Sequence, residues 1–224
     1  MSFGNLMKFH WKDYRRATLI LLSVLISVDI LQVMLRLFLP SLDMGNANSL
    51  FGINRIIIVI FTVVNVIVTA SITFPLMIGF SVTRRGFYSS TLLALILFCF
   101  AAAFVETLLF EVGKAILPTL SMEVSSGKPL LVHGYVFAVS LTVIAFMSLL
   151  IASCFSRFGP MLGTLSVIAY IGILNLFANL IPAIDFIDEP GQVPLVSDTP
   201  LLLMVIAIIV VIGWLIYRRA SVKI

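Results

Sequence analysis

The feature that most constrains this chain is a succession of apolar runs, almost free of charge, from Ala17 to Tyr217. Uninterrupted runs of about 18 or more apolar residues mark segments whose solvent is lipid. Composition agrees, since 61% of the 224 residues are apolar and 11% are charged. A soluble domain of this size carries about a quarter charged residues. The expected fold is therefore all-α, a polytopic membrane protein. Cys99 and Cys154 both lie in apolar runs, where a thiol behaves as a small hydrophobe, so no disulfide framework is expected.

Hydropathy and turn chemistry predict six spans, at about 17–39, 55–78, 89–112, 134–155, 161–181 and 201–217. A basic segment, 1–16, comes first and a cytoplasmic tail, 218–224, comes last. The first segment is too long for the n-region of a signal peptide, and no small-residue cleavage site follows the apolar stretch. Phe3, Leu6, Met7, His10 and Trp11 share one side of a helix there, with Lys8, Lys12, Arg15 and Arg16 on the other. This pattern suits an interfacial amphipathic helix anchored by Trp11 and Tyr14, and it equally suits a basic flank that only fixes orientation. Pro75 is expected to kink or end the second span. Ala101, Ala102 and Ala103 offer a small-residue patch in the third, and Gly159 and Gly163 frame a GxxxG spacing at the start of the fifth.

Charge sets the expected orientation. Lys8, Lys12, Arg15, Arg16, Arg84, Arg85, Arg157, Arg218, Arg219 and Lys223 all fall on one side of the six-span plan, with Asp13 as the one acid there. Arg36, Arg55, Lys114 and Lys128 fall on the other. The excess of cations in short loops places both termini in the cytoplasm of a multi-pass cell-membrane protein.

Among the polar residues inside spans, four stand out as a candidate set. Asp29, Gln32 and Arg36 occupy one helical face of the first, and Glu106 lies in the third. Charges in hydrocarbon are costly unless they face protein or water, so this set is a candidate intramembrane pathway or packing surface. Asp29 and Glu106 are conceivable paired carboxylates, but pairing with Arg36 or helix-end polarity is the expected role. No catalytic set is expected: the chain has no GxxxxGK[ST] phosphate loop, no GxSxG elbow and no HExxH helix. His10 and His133 fall on opposite sides of the plan and cannot share a metal. No metal and no nucleic-acid partner is expected.

Between the second and third spans, residues 73–91 read TFPLMIGFSVTRRGFYSST. A basic, aromatic turn of this kind is either a positive-inside anchor on lipid headgroups or a docking handle for a protein. The element Thr83, Arg84, Arg85, Gly86, Phe87, Tyr88, preceded by Pro75 and a small-residue turn, resembles the first cytoplasmic loop of small ABC exporter permeases of Gram-positive bacteria. The layout of a basic amphipathic start, six spans and an acidic last outer loop is similar to the ABC-2-type (ABCG-like) class. The chain departs from larger members in lacking a big extracellular domain between its first two spans. The resemblance implies a coupling helix seated on a soluble ABC ATPase subunit, with Arg157 in a second cytoplasmic turn, ATP and Mg²⁺ bound by the partner and none by this chain. It also implies a second permease subunit, identical or related, and export, but leaves the substrate class open. The mostly apolar spans with scattered Ser, Thr and Asn suit a hydrophobic or amphipathic substrate, such as a peptide, more than a small ion. The other reading of the same residues is an ATP-independent channel-like or peptide-immunity protein, in which Asp29, Gln32, Arg36 and Glu106 line a site of their own.

Overall fold

Leu6, His10, Tyr14, Leu21, Leu25 and Gln32 recur along the first helix at intervals of four and seven residues, and all are buried. This narrow seam holds one long helix, α1 (Phe3–Phe38), against its neighbours. The computed structural model describes residues 3–38, 48–80, 82–116, 130–176 and 199–218. The other helices are α2 (Asn48–Val68), a π-helical turn (Thr69–Thr73), α3 (Phe74–Gly79), α4 (Arg84–Ile116), α5 (Leu130–Phe158), α6 (Pro160–Leu176) and α7 (Thr199–Arg218). The described residues hold no strand. The expected loops at 40–47 and 117–129, the end of the fifth span at 177–181, the acidic loop at 182–198 and the tail beyond Arg218 lie outside the described residues.

Among the described residues, four helical stretches are long and apolar enough to cross a membrane: Gly4–Leu35, Ile53–Gly79, Arg84–Gly113 and Gly134–Phe158. The protein is thus an all-helical, multi-pass membrane protein. Two further apolar helices are shorter, Pro160–Gly172 and Leu203–Arg218. Within the bundle α5 is the axis. It packs on α2, α4, α6 and α7, and 72% of its span is buried, against 17% for α1, which packs mainly on α2 and α4.

Three boundaries differ from the sequence expectation. The basic segment is no separate helix, because nothing between Asp13 and Thr18 breaks the backbone and the buried seam runs straight through it. The helix expected to begin at Arg55 begins at Asn48, two turns earlier. The basic turn shrinks to the few residues between α3 and α4, since Arg84 to Tyr88 already form the first turns of α4.

Pro75 acts as a local widening rather than a stop. Proline supplies no N–H and crowds the carbonyl one turn back, and here the preceding turn opens into the π form, with the Phe74 N–H bonding the Thr69 carbonyl. Polar side chains elsewhere in the spans turn onto their own backbone. Thr62, Thr107, Thr142 and Ser153 each bond the carbonyl four residues earlier, at 2.6–2.8 Å, which satisfies the hydroxyl where water is absent.

The α5–α6 hairpin turns on Gly159, whose φ of 82° favours glycine, followed by Pro160 at the first helical position. A side chain at Gly163 would put its Cβ 2.3 Å from the Phe155 ring. The GxxxG spacing therefore combines a turn glycine with a close contact inside the chain. Ala102 and Ala103 are buried in the core. We expect Gly163→Val to destabilise the protein by about 1–3 kcal/mol, the usual cost of overpacking, and Phe155→Ala to recover part of that loss, read as thermal unfolding in mild detergent.

Candidate functional site

Thr83 opens α4 as its N-cap. Its hydroxyl accepts the Gly86 N–H at 3.2 Å and its carbonyl accepts the Phe87 N–H at 2.9 Å. Val82 and Phe87 take the two positions of a hydrophobic staple, and both are buried. Phe87 meets His10 of α1 and Phe74 of α3, with ring centroids at 5.6 and 5.4 Å. Thr91 approaches His10 Nε2 at 3.4 Å. Gly86 leaves room for the capping hydroxyl of Thr83, which would lie 2.9 Å from an added Cβ. Tyr88 donates its hydroxyl to the Val210 carbonyl at 2.9 Å and stacks near Trp214 and Tyr217 of α7. A Cβ at Gly213 would lie 2.5 Å from that hydroxyl.

These contacts correct one expectation. Phe87 is 0% exposed and Tyr88 5%, so neither aromatic tips the turn toward a partner, because each closes a helix junction. Thr83 and Arg85 are exposed and Arg84 is partly so. Arg84 Nη1 donates to the Arg218 carbonyl at 3.3 Å, so one of the two arginines also ties α4 to the end of α7. The sequence reading passed over Phe80, which is 72% exposed and lies in the short non-helical stretch between Gly79 and the Thr83 cap. Its place between Gly79 and Ser81 was the available signal. Arg157 lies at the end of α5, 4.6 Å over the ring of Phe158.

The contacts of His10 with Phe87, of Arg84 with Arg218 and of Gly134 with Thr107 fix the directions of the helices. The start of α1, the Phe80–Thr83 turn, the end of α5 and the end of α7 all fall at one end of the bundle. The described basic residues of that end are the same cations that the charge pattern grouped together.

A second polar site lies toward the opposite end. Arg55 Nε meets Glu106 Oε1 at 3.0 Å, with both side chains buried, joining α2 to α4. Asn54 Nδ2 donates to Asp29 Oδ1 at 2.8 Å, joining α2 to α1. Asp29 thus meets Asn54 while Glu106 meets the cation Arg55, where pairing with Arg36 or helix-end polarity was expected. The side chain of Arg36 lies outside the described residues. Gln32 Nε2 and Asn54 Oδ1 are buried without a hydrogen-bond partner among the described residues, and such a donor and acceptor are the groups that a bound water or polar solute satisfies. Sequence reasoning missed Asn54 and Arg55 because Arg55 was placed at a span's edge, where a cation needs no partner.

Removing one member of a buried ion pair leaves the other charge uncompensated, at a cost of about 3–5 kcal/mol, whereas an apolar replacement of both is close to neutral. Arg55→Met alone should therefore destabilise strongly, and Arg55→Met with Glu106→Leu should recover most of the loss in the same unfolding measurement. No protein-family model, curated protein or solved structure matches this chain, so its function is read from the two ends of the bundle.

Proposed function

We propose that the chain is the transmembrane permease subunit of an ATP-driven exporter whose ATPase is a separate chain. The observation that carries this reading is the division of labour within the basic turn. Thr83, Gly86, Phe87 and Tyr88 have internal roles, while Phe80 before the Thr83 cap and Arg85 in the first turn of α4 stay exposed. An arginine beside an exposed aromatic is the composition of interface anchors. The resemblance to ABC-2-type permeases adds the identity of the partner, a soluble ATPase that binds ATP and Mg²⁺.

In this reading all six apolar helices span, both termini are cytoplasmic, and the first part of α1 lies at the headgroup level. Two permease subunits, identical or related, enclose the pathway. Closure of the ATPases pushes on the Phe80–Arg85 turn. Because Thr83 caps α4 while Phe87 and Tyr88 lock it to α1, α3 and α7, the push moves those helices as a unit, a rigid-body change of the kind that alternates access. Arg157 offers a second contact at the same end. The cargo is hydrophobic or amphipathic, in keeping with spans whose hydroxyls are already bonded to their own backbone.

Arg85→Glu should reduce co-purification of the ATPase at least about tenfold, the scale of one interface anchor, with insertion and melting unchanged. Arg84→Glu with Arg85→Glu should abolish coupled transport. Retention of both the ATPase and transport by the double variant would contradict the proposal.

The second reading, an ATP-independent channel-like or peptide-immunity protein, is favoured by the half-buried Asp29 with the buried Gln32, Asn54, Arg55 and Glu106. It predicts that Gln32→Leu abolishes activity while Arg85→Glu leaves it intact, the reverse of the first pattern.

A further inference from the structure

We infer that the cleft between the first part of α1 and the middle of α4 binds an anionic phospholipid. The cleft holds about 220 Å³ and is walled by Met7, Trp11, Arg15 and Thr18 of α1 and by Leu97 and Ala101 of α4, among others. Met7, Trp11, Arg15 and Thr18 follow one another at helical spacing and so form a single stripe. This stripe is distinct from the buried seam of Leu6, His10 and Tyr14 that holds α1 in place. The cleft is smaller than the roughly 300–1,000 Å³ of a site for an enclosed drug-sized molecule. Its walls are almost wholly apolar and it opens along the side of the bundle, which suits one acyl chain lying against the helices.

The headgroup has its own seat. A neighbouring hollow shares Met7 and Trp11 with the cleft and adds Asn5, Lys8 and Lys12. Arg15 lines the cleft itself, on the same stripe as Met7 and Trp11, the two residues the cleft shares with the hollow. Lys8, Lys12 and Arg15 are exposed, so their charges are available to a ligand, and Asp13 is the one acid within the segment. Trp11 is 66% exposed, the position of an indole that anchors at the level of lipid headgroups. An apolar slot edged by Arg15 and adjoining a hollow with two lysines and an amide fits an amphiphile with an anionic head. In a membrane protein whose cations gather at this end, that amphiphile is an anionic phospholipid. The inference rests on the membrane-spanning fold and is independent of any ATPase partner.

The test is a titration of the full-length protein in neutral detergent with phosphatidylglycerol or phosphatidylcholine of the same chains, read by native mass spectrometry. The expected result is one saturable phosphatidylglycerol site, with phosphatidylcholine at least tenfold weaker. Each cation near an anionic headgroup contributes roughly a fivefold factor. Lys8→Gln with Lys12→Gln and Arg15→Gln should therefore weaken phosphatidylglycerol on the order of a hundredfold. Ala101→Phe fills the slot, leaves every cation in place, and should also weaken it, by roughly tenfold, the scale of a few displaced methylenes. All four positions are exposed, so melting should be unchanged, and Ala101→Leu replaces the larger substitution if it is not. Equal binding of the two lipids would overturn the inference. So would a loss confined to the charge variant, which would mean diffuse surface attraction, or one confined to the slot variant, which would mean no headgroup selection.

Discussion

Hydrocarbon offers no hydrogen bonds, and every polar group that enters it has to be satisfied by the protein itself. That constraint organises this chain. It makes the backbone helical, turns serine and threonine hydroxyls onto carbonyls of their own helices, and leaves few side chains whose polarity needs a partner on another helix. Those few cross-link the bundle: Arg55 with Glu106 between α2 and α4, and Asn54 with Asp29 between α2 and α1. The same requirement explains the π turn before Pro75, where the chain widens to re-pair a backbone that proline would otherwise leave unbonded.

At the opposite end the junction is aromatic. His10, Phe74, Phe87, Tyr88, Trp214 and Tyr217 meet where α1, α3, α4 and α7 converge. Buried rings here contribute area and edge-to-face contacts, and the Tyr88 hydroxyl finds a backbone carbonyl. The consequence for function is mechanical. A short turn capped by Thr83 and backed by this junction is a stiff place to apply force, whereas a loop free of the core would absorb it.

Much of this was legible in the sequence. Unbroken apolar runs gave the helical class, and the distribution of lysine and arginine grouped the helix ends that the contacts bring together. What was not legible has a common cause, which is that span edges were placed by hydropathy alone. Arg55 falls two turns inside a helix that begins at polar Asn48, so a buried ion pair was taken for a flank. Arg84 to Tyr88 begin a helix, so Phe87 and Tyr88 were taken for exposed tips. The capping pattern of Thr83, with hydrophobic residues at Val82 and Phe87, carried that second fact locally. Partners across helices, such as Asn54 for Asp29, depend on tertiary placement and leave no local trace.

The central functional claim is that the exposed part of the basic turn faces a motor on another chain. A photo-reactive amino acid placed at Phe80, 72% exposed, tests it most directly when cross-linked in intact cells and identified by mass spectrometry. The expected product is an adduct with a soluble protein carrying a phosphate-loop motif, and none with it from the same probe at Ile168, exposed at the middle of α6. Cross-links from Phe80 to lipid alone would contradict it.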